Sequence, residues 1–498
     1  MSQLEKSVSA PSLSKKEVSA ADASELPMLH VDICVIGAGS GGLSVAAGAS
    51  QMGATVVLVE KSEMGGDCLN TGCVPSKAML AAGHAAQSMR DAGLFGVQSQ
   101  QPEVDWQQLH DHVHGVIAAI APNDSQQRFE AMGVTVIRAA GRFEDERTLL
   151  AGNQRIRARY FVLATGSSAF VPPIPGLDTI DYFTNENIFS NNAPVDHLIV
   201  IGGGPIGMEL AQAHLRLGAQ VTVMEMARLL MKDDPELSKV VVDRLAAEGM
   251  VFHEGGRDLS FEQTADGKIA VHCQTDAGSQ CAIGSHVLIA TGRRANVNGL
   301  NLEAAGVQYS AKGVDVDARL RSSNKRIFAI GDVAGPYQFT HMAAYQAGIV
   351  IRNMLFKLPA KVDYSAVPWV TYTDPELAHV GLTEADAIKA GREIRVLRWQ
   401  FEENDRAQAE RRTEGMIKVI TTTKGLILGA SIVGLHAGEL IQLWVLAISQ
   451  KLKIGAMAGM IAPYPTLAEA NKRIAGSFYT EKLFSKTTRC LVRFLMRF

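Results

Sequence analysis

An α/β fold with two Rossmann-like dinucleotide-binding domains is the class this chain predicts, on three observations. An apolar run at 31–37 leads into a G-x-G-x-x-G loop. The same arrangement recurs at 197–207. The length of 498 residues leaves room for about three domains at roughly 150 residues each. Composition agrees with a folded chain, at 47% apolar and 20% charged residues. Six cysteines in 498 residues are too sparse for a disulfide-stapled scaffold.

The first unit opens at Val31. VDICVIG is apolar throughout, which suits a strand buried on both faces of a parallel sheet. It meets Gly37, Gly39 and Gly42, then an Ala-rich helical stretch, then a second apolar strand, TVVLV (55–59), ending in Glu60. Gly37 permits the tight turn, Gly39 lets the backbone approach a pyrophosphate, and Gly42 lets helix and strand pack closely. The helix N-terminus attracts the phosphates and Glu60 is placed to accept bonds from a ribose. A lone glycine loop often serves only as a turn; here strand, helix, second strand and terminal acid are all present.

The second unit repeats the pattern. HLIVIGGGPIGMEL (197–210) carries Gly202, Gly204 and Gly207, and QVTVME (220–225) ends in Glu225. YFVLATG (160–166) echoes HVLIATG (286–292), which adds Thr165, Gly166 and Gly292. Two copies point to two bound dinucleotides, arranged so that one passes electrons to the other. An acid at the ribose position favours a free 2′-hydroxyl, so Glu225 leans the second site toward NADH over NADPH. Arg228, three residues on, would soften that preference.

Residues 65–77 read GGDCLNTGCVPSK. In a regular helix, the five-residue step from Cys68 to Cys73 is about 7.5 Å of rise, beyond disulfide reach. Asn70, Thr71 and Gly72 can bend the chain and close the gap. Pro75 suits a first helical turn, so Cys73 is expected just before a helix N-terminus, where a thiolate is stabilised. Lys77 is spaced to share its helix face. The pair reads as a candidate redox-active disulfide; two unpaired buried thiols are the alternative. Zinc fits less well, because no second Cys/His pair stands nearby, and no resident metal is expected.

The cysteine segment, the two glycine loops, both ATG strands and RIFAIGD (326–332) together resemble the class I pyridine nucleotide-disulfide oxidoreductases, the family of dihydrolipoamide dehydrogenase, glutathione reductase and mercuric reductase. The resemblance spans about residues 30–484. It implies FAD in the first site, NAD(P)H in the second, and an α+β dimerisation domain. The implied boundaries are an FAD domain from 30–166 and 293–362, an NAD(P) domain at 167–292 and a dimerisation domain at 363–484. It also implies that Cys73 faces the flavin and Cys68 the substrate, that Asp332 bonds the FAD ribitol or pyrophosphate region, and that Lys77 pairs with Glu209 near the flavin ring.

One departure matters. Members acting on disulfides carry a His-Pro-Thr-x-x-Glu segment whose His is the acid or base for substrate thiols across the dimer interface. This chain reads Tyr464-Pro465-Thr466-Leu467-Ala468-Glu469. A phenol titrates near 10 and is a poor base at neutral pH. Dithiol oxidation is therefore expected to be impaired, unless His341, His379 or His436 substitutes. Reduction of a soft metal ion such as Hg(II) needs no such base, since thiolates bind it directly. Mercuric reductases also lack that His, and QFTHMAA (338–344) looks more like their branch. Against this, residues 1–29 hold no Cys and the C-terminus has only Cys490 in place of a vicinal pair. The expected function is thus a mercuric-reductase-like homodimer, passing electrons from NAD(P)H through FAD and Cys68–Cys73 to a metal-ion or disulfide acceptor. Dihydrolipoyl dehydrogenase is the alternative, followed by a membrane-surface NADH dehydrogenase.

The ends of the chain differ from the rest. Residues 1–29 are polar, with Glu5, Glu17, Asp22 and Glu25, and read as a flexible tail, not a secretory signal or transit peptide. No run reaches the roughly 20 apolar residues of a membrane span, and a cytoplasmic location is expected. A net charge of −3 gives no pull toward nucleic acid. Residues 485–498, with Lys482 just before them, form a basic amphipathic tail: a helix lying on an anionic membrane, or one docked on the protein itself.

Overall fold

The computed structural model describes residues 26–498. Residues 1–25 of the expected tail lie outside the described residues. The first strand begins at Met28, two residues inside the segment read as tail.

The first parallel sheet is ordered Val134–Arg138, Val56–Glu60, Met28–Ile36, Gln154–Leu163, with Ile327–Ala329 added beside the C-terminal end of Gln154–Leu163. Its central strand is apolar throughout because both faces are covered. Ile33 and Val35 pack in a core with Val45 and Phe328, while Cys34 and Ile36 pack in another with Phe143 and Phe161. The second parallel sheet is ordered Val251–His253, Gln220–Met224, His197–Ile201, His286–Ile289. A three-stranded antiparallel sheet, Arg257–Gln263, Ile269–Thr275 and Gly278–Gly284, is inserted before its last strand. Residues 368–434 form a five-stranded antiparallel sheet, and Trp444 and Ile474 from the helices that follow are fully buried against it. The apolar stretch at 440–448 lies largely in the helix Gln442–Ser449, whose Trp444, Ala447 and Ile448 are core.

The chain passes between the two parallel sheets through one narrow ribbon. Ser167–Ala169 pairs antiparallel with Arg293–Ala295, and Phe170 N donates to Gly292 O at 3.0 Å. On its other side the second unit meets the C-terminal sheet through buried ions. Arg216 bonds Glu248 at 2.6 Å and Asp374 at 2.9 Å, and Lys418 bonds Asp234 at 2.7 Å and Glu384 at 2.7 Å. Removing one partner from such a pair costs about 3–5 kcal/mol, because the other charge stays buried.

Candidate active site

Both glycine loops are built alike. Each closes on its own helix: a Cβ at Gly42 would fall 1.8 Å from Gly37 O, and one at Gly207 2.0 Å from Gly202 O. Any side chain there would push helix from strand. Gly39 and Gly204 instead face open space, with nothing within 4 Å of an added Cβ. The acids at the strand ends hold the loops in the same way. Glu60 accepts from Ala38 N at 2.6 Å and from Ser62 N at 2.6 Å; Glu225 accepts from Gly203 N at 2.7 Å and from Ala227 N at 2.8 Å.

The cysteine segment lies on the first loop. Gly65 N donates to Ala38 O at 3.0 Å, and a Cβ on Gly66 would reach within 2.8 Å of Gly39 Cα. That contact explains the glycine pair before Cys68, a signal the sequence reading did not use. Cys68 sits in the short helix Gly66–Asn70. The chain breaks at Thr71 and Gly72, and Cys73 is the first residue of the helix Cys73–Asp91, one place further in than expected. Both thiols are free.

Their protons are unequal. The Cys68 thiol donates toward the Cys73 sulfur, which pulls Cys73 down to about 6 against the opposing effect of burial. Thr340, whose Oγ1 lies 3.5 Å from Cys73 Sγ, and the Lys77 ammonium add to the shift. Cys68 is driven strongly up by the same interaction and by burial. Cys73 is therefore the thiolate at neutral pH and Cys68 the thiol.

Lys77 Nζ bonds Glu209 Oε2 at 2.7 Å and lies over the Tyr372 ring at 4.4 Å. Burial alone would pull this lysine down, but the Glu209 carboxylate outweighs it and holds the ammonium charged. Asp332 accepts from Ser167 Oγ at 2.5 Å, and burial raises its carboxyl. Arg293 reaches Asp67 at 3.2 Å and bonds Ser167 Oγ at 2.7 Å, tying the cysteine turn to the interdomain ribbon. Arg293, Thr340 and Tyr372 were missed from sequence; each is distant in the chain from the motif it serves.

A single cleft of about 1790 Å³ joins these parts. It takes in Gly37, Gly39, Glu60, Cys68, Cys73, Lys77, Thr165, Gly166, Gly202, Gly204, Glu209, Glu225, Gly292 and Asp332. Gly42 and Gly207 stand behind it as packing residues. A single small ligand needs a cavity of roughly 300–1,000 Å³, so this volume suits two dinucleotides end to end. The residues fit the groups: two open glycine cradles, each at a helix N-terminus, share one cleft with the cysteines.

Two expected residues lie elsewhere. Tyr464 and Glu469 do not line this cleft within one chain. Tyr464 is exposed and donates to Asp405 Oδ2 at 2.8 Å, and Glu469 is held by Arg473 at 2.7 Å. Asp405 raises the phenol further, so it is a still poorer base. Of the histidines, His379 is buried and bonded to Ser431 Oγ and Gly381 O, a structural role. His436 caps a short helix with φ 57°. His341 lines the cleft, where burial lowers its pKa.

Two nucleotide cradles sharing a cleft with a dithiol define a flavin- and pyridine-nucleotide-dependent disulfide oxidoreductase. The chain belongs to the pyridine nucleotide-disulphide oxidoreductases: the family model matches residues 31–347 and the family's dimerisation domain residues 367–475. It is an enzyme with FAD and NAD(P)H as cofactors, and it carries the domain through which the family forms homodimers. Among curated relatives, the mercuric reductase of Staphylococcus aureus is 35% identical over 92% of this chain and 84% of its own length. The dihydrolipoyl dehydrogenase of Thermus scotoductus is 34% identical over 92% of this chain and 99% of its own. Among solved structures, the Cu(II) complex of the HOCl-induced flavoprotein disulfide reductase RclA from Escherichia coli has a TM-score of 0.79 at 25% identity, covering 89% of this chain and 99% of that one.

Proposed function

We propose that the enzyme reduces a thiol-bound soft metal ion of the Hg(II) type, with Cys68 and Cys73 as its ligands. The observation that carries this is Tyr464: the family's base is absent and its replacement is tied to Asp405. A metal acceptor needs two sulfurs and no proton shuttle. FAD held in the first cradle would supply two-electron transfer from NADH to the cysteine site, so that NADH and a Hg(II) bis-thiolate would give NAD⁺, a proton, Hg(0) and two thiolates.

The chain's own residues do the rest. Glu60 and Glu225 fix the two glycine loops, which would cradle the pyrophosphates, and each would accept a bond from a ribose. Thr165, Gly166, Gly292 and Asp332 line the same cleft, and Asp332 would bond the FAD ribitol. The hydrogen bond from Cys68 keeps Cys73 ionised, and Lys77, held charged by Glu209, adds to it. Cys68 is the thiol that would meet the acceptor first. Tyr464 and Glu469 reach the site only from a second subunit.

Dihydrolipoyl dehydrogenase activity is the second reading, favoured by His341, an imidazole already in the cleft. The test is to reduce the enzyme anaerobically with NADH, then mix it with a Hg(II)–thiol complex or with lipoamide in stopped flow. Fast flavin reoxidation by mercury alone is expected; fast reoxidation by lipoamide alone overturns the proposal. Cys68→Ser should abolish acceptor reduction while leaving flavin reduction by NADH, and full retained turnover would also overturn it.

A further inference from the structure

The C-terminal helix has no work in the redox cleft. Lys486–Leu495 begins at Ser485, whose Oγ accepts from Thr488 N at 3.2 Å, and none of its residues is buried. Every residue from Arg489 to Phe498 is exposed, including Leu491 at 55%, Phe494 at 55% and Leu495 at 57%. The helix therefore docks its apolar side on none of the described residues, which sets aside one of the two readings of the sequence. Around the helix axis at 100° per residue, Lys486, Arg489 and Arg493 fall within about 60° and Leu491, Phe494 and Leu495 within about 100° on another side. Residues 482–498 hold five Lys or Arg and no Asp or Glu, in a chain whose net charge is −3.

We propose that this helix lies on an anionic lipid surface and holds the enzyme there. The charge pattern selects the occupant. A purely apolar patch would suit any hydrophobic partner, but a cation row beside exposed aromatic and aliphatic side chains matches a bilayer interface. Acyl chains take Phe494 and Leu495 while headgroup phosphates take the arginines. The helix adheres without spanning, since no described helix is long and apolar enough to cross a membrane.

The test is vesicle co-sedimentation of the full-length, FAD-loaded enzyme. One set of vesicles is phosphatidylcholine alone, the other phosphatidylcholine mixed with phosphatidylglycerol. Binding is expected only to the mixed vesicles and should weaken as salt is raised. The double variant Arg489→Gln/Arg493→Gln should bind about 30-fold more weakly, at roughly one kcal/mol per cation. The variant Phe494→Ser/Leu495→Ser should also lose binding, with an unchanged flavin spectrum and melting temperature showing that the fold is intact. Equal binding to both vesicle types, or wild-type binding by either variant, overturns the proposal. So does a change in sedimentation coefficient on Phe494→Ser/Leu495→Ser without any vesicle binding, which would mean that the helix covers a second copy of the chain.

Discussion

Lys77 Nζ stands 2.7 Å from Glu209 Oε2, and the two residues come from different nucleotide units. Lys77 is on the helix that begins at Cys73; Glu209 is on Pro205–Arg216, the helix that begins at the second glycine loop. The ion pair locks one onto the other and puts a fixed positive charge beside Cys73. Because Cys73 is pulled down to about 6, its thiolate persists above that pH and is lost by protonation below it. The thiolate signal of the NADH-reduced enzyme should titrate near pH 6. In Lys77→Met the midpoint should move up, with each unit of rise removing about tenfold of the thiolate at acid pH. Cys68→Ala should move it up as well, and Cys68→Ser less, because a hydroxyl still donates. An unmoved midpoint in Cys68→Ala would show that the hydrogen bond from Cys68 does not set it.

Nucleotide choice rests on Glu225 and on the state of Arg228. The Arg228 guanidinium is committed to Ser238 Oγ at 2.5 Å, Asp233 O at 2.8 Å and Met231 O at 3.0 Å. Although it lines the cleft, its hydrogen bonds are spent within residues 229–238. NADH should exceed NADPH by tenfold or more in kcat/KM, and Glu225→Ser should narrow that ratio. Steady-state kinetics with both reductants decide the point, and an NADPH preference in the wild type would refute the reading.

Position 464 sets the acceptor class if the partner's copy faces the cysteines. Tyr464→His should raise dihydrolipoamide oxidation by about 10²-fold, the usual contribution of a positioned base. Hg(II) reduction should change little. No gain with dithiol would mean that residue 464 does not meet the cleft in the dimer.

Gly42 and Gly39 separate packing from binding. Gly42→Ala places a methyl 1.8 Å from Gly37 O and should cost about 1–3 kcal/mol or more, seen as a lower melting temperature of the apoprotein. Gly39→Ala meets no protein atom and should leave that temperature alone while weakening FAD retention on gel filtration. Equal destabilisation by both would remove the distinction.

Local signals carried far in this chain. The two glycine loops and their acids were legible because strand, turn and helix are contiguous, and the fixed interval of 23 residues from glycine to acid marks the repeat. The cysteine turn was legible for the same reason. Spacing showed no long-range contact; the Lys77–Glu209 pair, 132 residues apart, was expected only through the family resemblance. Thr340 is 267 residues from Cys73, and Arg293 meets Asp67 across more than two hundred positions. Spacing arguments do not reach so far. The fate of Tyr464 was also out of reach, since Asp405 gives no sign in sequence that it will hold the phenol.

The ribbon formed by Ser167–Ala169 and Arg293–Ala295 makes the second nucleotide unit a cassette. Its entry and exit strands are hydrogen-bonded neighbours, so the chain leaves the flavin frame and returns to it at one point. A short turn joining Ala169 to Arg293 would close the frame without the cassette. The frame would keep its own sheet but lose Glu209, and with it the carboxylate that Lys77 bonds among the described residues. The plug-in module supplies more than a berth for the reductant: it completes the electrostatics of a cysteine pair that belongs to its host.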